Sequence, residues 1–154
     1  MTTDADLSRR RVRAWLRMLR VTRQTENHLR EFLRTRHGTT LPRFDVMAAL
    51  HRAGKPMKMS DLSRQLLVSN GNATTVVERL EKDGLARRVP GAKDRRVVMV
   101  ELTERGRSDF DAQAIGHMTE IDQIFAGLNA SDLDLLRRLT HRIEQRATQL
   151  NAAE

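Results

Sequence analysis

Residues 70–103 read NGNATTVVERLEKDGLARRVPGAKDRRVVMVELT, and their hydrophobic period changes once. Ala73, Val76, Val77 and Leu80 recur at steps of three and four, the repeat of one face of an α-helix. Ser69 and Asn70 are N-cap residues by type, and Asp83-Gly84 stops the helix. Leu85 to Val89 then reads as a short strand, and Pro90-Gly91-Ala92-Lys93-Asp94 as a turn. In the next run Val98, Val100 and Leu102 alternate with Val97, Met99 and Glu101, the period of two that a second strand requires. A helix followed by an antiparallel hairpin with a basic loop is the expected outcome.

Upstream, a short helix is expected over about residues 60–67, with Leu62 and Leu66 four apart. Pro42 suits the first turn of an earlier helix, whose inner face is Phe44, Met47, Ala48 and Leu50 and which ends near Ala53-Gly54. The first helix runs from about residue 7 to residue 36, with Val12, Trp15, Leu19, Leu29 and Leu33 on one stripe and Gly38 closing it. Downstream, Thr103 caps a helix carrying Phe110, Ala114, Met118, Ile121, Phe125 and Leu128. Asn129 with Asp132, or Ser131 with Asp134, has the form of a capping pair for a last helix with Leu133, Leu136, Ile143 and Leu150. The fold class is therefore mainly α with a small β-hairpin wing: a winged helix–turn–helix over 41–103, flanked by dimerisation helices at 1–40 and 104–154. The long flanking helices have few partners in a chain of 154 residues, so their apolar stripes most simply meet a second chain.

The chain has 28 Lys+Arg, 20 Asp+Glu and no Cys, for a net charge of +8. Without Cys there are no disulfides, thiolate metal sites or thiol switches. An excess of positive charge points to a polyanion, nucleic acid ahead of a membrane surface. The excess is uneven: +6 over residues 1–41, +1 over 42–54, +5 over 55–107 and −4 over 108–154. Polyanion binding is thus expected in the first two thirds. The plain alternative is an Arg-rich composition with no specific partner. No uninterrupted run of eighteen apolar residues and no secretory leader is visible, so a cytoplasmic protein with no membrane partner is expected.

Three stretches resemble the MarR family of bacterial transcriptional regulators. They are Met59-Ser60-Asp61-Leu62-Ser63-Arg64-Gln65-Leu66 followed by Val68-Ser69, then residues 75–85 (TVVERLEKDGL), then residues 94–103 (DRRVVMVELT). The last fits the family's wing signature of Asp, any, Arg, three residues, Val, any, Leu, Thr at every position. The resemblance implies a homodimer that binds double-stranded, pseudo-palindromic operator DNA, with a repressor as the family habit. The chain departs from the family at Lys58, where Thr or Ser often caps the third helix, leaving Ser60 as the substitute. It also departs at Gly71, which costs about 1 kcal/mol of helix stability relative to Ala in a helix interior and whose missing side chain admits a phosphate or base edge.

An α-helix fits the major groove and reads it with its N-terminal residues. With the apolar face inward, Asn70, Asn72, Thr74, Thr75 and Arg79 face outward; Asn can pair with adenine, and Thr can meet a thymine methyl. Capping and surface filling are the alternatives. At the wing tip Arg96 is the candidate for the minor groove, and Asp94 two residues earlier can hold its guanidinium. The resemblance assigns the same roles; the alternative is a surface pair that stiffens the hairpin. Arg64, Arg88, Lys93 and Arg95 are candidates for phosphate contacts, and Ser60 completes the DNA-facing set.

MarR-like proteins usually release DNA when a small molecule binds between the dimer helices and the winged domain, and an aromatic acid or its CoA thioester is the expected effector class. Thr22 and Glu26 interrupt the apolar stripe near Trp15, Arg23 and His28, and Phe44, Met47 and His51 on the second helix could complete a pocket. Alternatively Glu26 pairs with Arg30 at i,i+4 and Trp15 is core. The run Arg9, Arg10, Arg11, Arg13, Arg17, Arg20 and Arg23 is a solvated face, a DNA-flank contact or a ligand holder. No metal or other cofactor is expected: His28, His37, His51, His117 and His141 are dispersed and form no i,i+4 pair. No nucleophile triad, phosphate-binding Gly loop or H-E-x-x-H motif suggests an enzyme. The rival is a sequence-neutral architectural DNA-binding protein, which would share the charge but not need the polar break in the first helix.

Overall fold

The computed structural model describes residues 4–66 and 70–153. The expected Ser69 cap and the end of the third helix at residue 67 lie outside the described residues. The elements run α1 (Asp4–His37), α2 (Leu41–Ala53), β1 (Met57–Lys58), α3 (Met59–Leu66), α4 (Asn70–Lys82), β2 (Ala86–Pro90), β3 (Val98–Leu102), α5 (Glu104–Phe125) and α6 (Ala130–Asn151). The mainly helical fold and the wing are as expected. The hairpin is not alone, however: β3 pairs antiparallel with both β2 and β1, in the order β1-β3-β2. Val100 faces Arg88 on one side and Met57 on the other. Two residues are too few to show a period of two, so β1 left no pattern to read.

The chain forms two compact units, one ending at Met118 and the other beginning at Thr119. The largest fully buried side chains in the core of the first are Leu33, Val46, Met47, Leu62, Leu80, Val77 and Val100. Each such side chain contributes roughly 1.5–3 kcal/mol of burial free energy. Together they join the C-terminal part of α1 to α2, α3, α4 and β3. Of α1, only Leu29 and Leu33 are buried; Val12, Trp15, Leu16 and Val21 are exposed.

Local chemistry sets the joints. Thr40 caps α2 by accepting the N–H of Arg43, and Pro42 occupies the first turn. Gly84, at φ 72°, ends α4; its N–H donates to the Glu81 carbonyl at 2.9 Å, and the next N–H donates to the Leu80 carbonyl at 2.8 Å. That paired closure needs a left-handed residue, which glycine adopts without a Cβ penalty. Arg43 ties α2 to the same corner through Asp83 at 2.6 Å. Thr103 then fastens α5 to it: its Oγ1 donates to the Gly84 carbonyl at 2.7 Å and accepts the Gly106 N–H at 3.0 Å. Gly106 is buried there, and a Cβ at this position would overlap the Leu85 carbonyl.

In the second unit, α6 opens with a reciprocal capping box: Asp132 N–H donates to Asn129 at 3.0 Å, and Asn129 N–H donates to Asp132 at 3.1 Å. Leu133, Leu136, Leu139, Ile143 and Leu150 stay exposed along α6.

Candidate nucleic-acid interface

The face that could meet DNA is built from α3, α4 and the β2–β3 wing. Ala73, Val77 and Leu80 of α4 are buried and Val76 is half-buried, as the period required. That leaves Asn72, Thr75 and Arg79 exposed and Thr74 half-buried. The Thr75 hydroxyl donates to the Gly71 carbonyl at 3.0 Å, so its proton is committed within the helix. Asn70 begins α4, while its side chain lies outside the described residues. Gly71 has open space where a Cβ would stand.

At the wing, the Gly91 N–H donates to the Val97 carbonyl at 2.8 Å and the Val97 N–H to the Asp94 carbonyl at 3.1 Å. Asp94 Oδ1 accepts the Arg96 backbone N–H at 3.0 Å and its guanidinium Nε–H at 3.3 Å. The Arg96 side chain is nonetheless 92% exposed. Lys93 and Arg95 are exposed on the same turn. Below the turn, Arg87 and Glu101 face each other across the strands and pair at 2.7 Å.

The other candidate basic residues divide by their partners. Arg64 is exposed and only loosely held by Asp61, at 3.4 Å. Arg88 is engaged: Glu81 lies at 3.3 Å and Glu78 at 3.9 Å, and Glu81 also accepts the Arg88 backbone N–H at 3.1 Å. These pairs join a helix to a strand, which is why no local spacing announced them. Ser60 is exposed inside the first turn of α3, which starts at Met59, so it is not positioned as the cap. Arg43 and Arg87 carry structural ion pairs that spacing did not single out.

The residues expected around an effector occupy two different environments. Trp15 is 58% exposed, and Thr22, Arg23, Glu26 and His28 are also exposed on α1. By contrast Phe44 is 5% exposed and Met47 fully buried. Phe44 stacks on His117 with ring centroids 4.3 Å apart and meets Phe110 at 5.4 Å. His51 lies 3.2 Å from Asp111 and packs on Phe110. Burial pushes the His117 pKa down. Arg30 donates to Asn27 at 2.9 Å, while Glu26 acts electrostatically on Asp45 of α2. Asp45 is raised to about 6, first by burial and then by the negative charge of Glu26. It lines a 340 Å³ cavity with Leu66 of α3 and Asn72 and Thr75 of α4. Among the described residues no group of His and carboxylates could hold a metal, and no helix is long and apolar enough to cross a membrane.

Residues 39–98, which include α3, α4, β2 and the wing turn, match the MarR family. The chain is 33% identical over 100 residues to the uncharacterized HTH-type transcriptional regulator YkoM of Bacillus subtilis, a match that covers 65% of this chain and 64% of YkoM. It thus spans slightly under two thirds of that relative's length. Among solved structures, AbsC, a MarR family transcriptional regulator from Streptomyces coelicolor, superposes with a TM-score of 0.80 at 26% identity, covering 97% of this chain and 98% of AbsC. The fold is also that of a mutant MarR from E. coli complexed with operator DNA, with a TM-score of 0.72 at 23% identity over 82% of this chain and 89% of that one. With the wing signature at residues 94–103, a sequence match over the winged segment and a fold match over nearly the whole length, the chain is similar to the regulators of the MarR family.

Proposed function

We propose that this protein is a DNA-binding transcriptional regulator that acts as a homodimer on a pseudo-palindromic operator. The observation that carries the reading is the exposed α4 face of Asn72, Thr75 and Arg79, set in one compact unit with a wing whose Arg96 is held by Asp94 yet open to solvent. A helix face supplies major-groove readout, and a wing guanidinium supplies minor-groove readout. Lys93, Arg95 and Arg64 add phosphate contacts, which set affinity rather than sequence. Arg88, neutralised by two glutamates, contributes to the fold of the wing base more than to DNA. The mutant E. coli MarR in complex with operator DNA has the same fold. Exposed apolar residues on α1, and separately on α6, support a second copy of the chain as their cover.

In this reading the protein works in the cytoplasm as a repressor and is released by a small-molecule effector, for which an aromatic acid or its CoA thioester is the class to test. A thermal-shift screen of such compounds, followed by loss of DNA binding, tests the effector. The DNA reading is tested by fluorescence anisotropy. The duplex flanking the protein's own coding sequence is compared with random duplex at one stated salt concentration. The expected specificity ratio is on the order of 10³ or more. Equal affinities would overturn it and favour a sequence-neutral architectural protein.

A further inference from the structure

We propose that the groove at the base of the wing is a binding site for a small phosphomonoester carried on an apolar body. The groove encloses about 520 Å³ between the α2–β1 connection and the β2–β3 turn. Such a volume suits a small ligand. Its apolar surface comes from Pro56, Pro90, Val97 and Met99. Three lysines line it as well: Lys55 and Lys58 from the β1 side, and Lys93 from the wing.

The charge balance selects the ligand. Among the described residues none of the three ammonium groups has a carboxylate partner. The one carboxylate in the lining, Asp94, is already committed to the Arg96 N–H at 3.0 Å and to its guanidinium at 3.3 Å. A singly charged carboxylate ligand would leave most of this positive charge unmatched. A phosphomonoester carries about −1.5 to −2 at pH 7 and three acceptor oxygens, one for each lysine. Its apolar part would replace water over the proline and methionine surface.

The groove is built from fixed parts. β1 is hydrogen-bonded to β3, with Lys58 opposite Met99, and Val89 faces Met99 from the other side. The Gly91 N–H to Val97 carbonyl bond closes the turn at 2.8 Å. A Cβ on Gly91 would stand 2.7 Å from the Asp94 carbonyl oxygen, so the turn closes this tightly only around glycine. The site is separate from the α4 face and from the cavity beside Asp45. That its occupancy bears on DNA binding, through the Asp94–Arg96 turn, rests on the regulator reading.

Calorimetric titration of the DNA-free protein with 1-naphthyl phosphate tests the site, with 1-naphthol and inorganic phosphate as controls. The expected result is saturable binding of one ligand per chain. The Lys55→Gln/Lys58→Gln variant should bind about tenfold more weakly with an unchanged melting temperature, and both controls should bind more weakly than the ester. Amide shifts should centre on Lys58, Gly91, Lys93 and Met99. No saturable binding, equal binding by the variant, or shifts centred elsewhere would overturn the proposal. Weaker duplex DNA binding by the variant together with no ester binding would also overturn it and make the groove a DNA-backbone surface. Because the titration contains no DNA, a negative result leaves the regulator reading standing.

Discussion

One oxygen of Asp94 accepts two hydrogen bonds from Arg96, the backbone N–H at 3.0 Å and the guanidinium Nε–H at 3.3 Å. The first shapes the turn, and the second aims the side chain. Because the Arg96 side chain is 92% exposed, the pair adds at most about 1 kcal/mol to folding. Its value lies in presenting a cation at the wing tip.

Arg96→Ala should therefore weaken operator binding by about 1–3 kcal/mol and leave the melting temperature nearly unchanged. Asp94→Ala should cost less, since the cation survives with its aim lost. In the double variant the Asp94 effect should vanish, because it acts through Arg96. Anisotropy titrations of the four proteins measure this. Additive losses would show that Asp94 acts independently.

Asn72→Ala and Arg95→Ala should fail in different ways. Loss of a bidentate base contact at Asn72 should cost about 1–3 kcal/mol on the best site and relax preference at one base pair. Loss of a phosphate contact at Arg95 should weaken all sequences alike and reduce the salt slope by about 1. Binding to operator and random duplex over a range of salt separates the two.

Two glycines should respond in opposite directions to alanine. A Cβ at Gly106 would overlap the Leu85 carbonyl, at the corner Thr103 holds. Backbone cannot step aside as a flexible side chain can, so Gly106→Ala should destabilise by about 2–3 kcal/mol, read as the urea midpoint. At Gly71 nothing lies within 4 Å of a Cβ, so Gly71→Ala should stabilise α4 by up to about 1 kcal/mol. If a phosphate or base edge approaches that position, the more stable variant should also bind DNA more weakly.

Asp45 should give a pH dependence of definite sign. Its pKa in the folded chain is raised from 3.8 to about 6 by burial and by Glu26. The folded state therefore holds the proton more tightly than the unfolded state, and stability from this group falls as pH rises from about 4 through 6. Asp45 is itself an exposed residue, so solvent screens the effect and the difference should be small. His117 acts oppositely, since its lowered pKa removes stability as pH falls through the range below 6.5. The Asp45 share is thus the difference between wild type and Asp45→Asn. The variant should be the more stable at pH 7, with the advantage gone near pH 4. An advantage that does not change with pH would contradict the assignment.

Much of this architecture was legible because amphipathic period and capping chemistry agree along the chain. Pro42, Gly84, Thr103 and the Asn129–Asp132 pair all mark ends that the folded chain uses. β1 was not legible, since Met57 and Lys58 become a strand only through pairing with Val100 and Met99. The carboxylate partners of Arg88 were not legible, because Glu78 and Glu81 reach it only after α4 and β2 fold together. Gly106 carried no visible signal beyond a glycine inside a helical pattern. The polar break at Thr22 and Glu26 suggested burial, yet in the single chain both are exposed. A periodic stripe reports which residues share a face and not what covers that face.

Everything proposed for DNA depends on two copies of this chain reading an inverted repeat, and in vitro selection from a random duplex pool at fixed salt tests that directly. The expected result is enrichment of a pseudo-palindrome with half-site centres about 10 bp apart, lost from the Arg96→Ala selection at the positions the wing reads. Enrichment of a sequence without a dyad, or no enrichment at all, would contradict it.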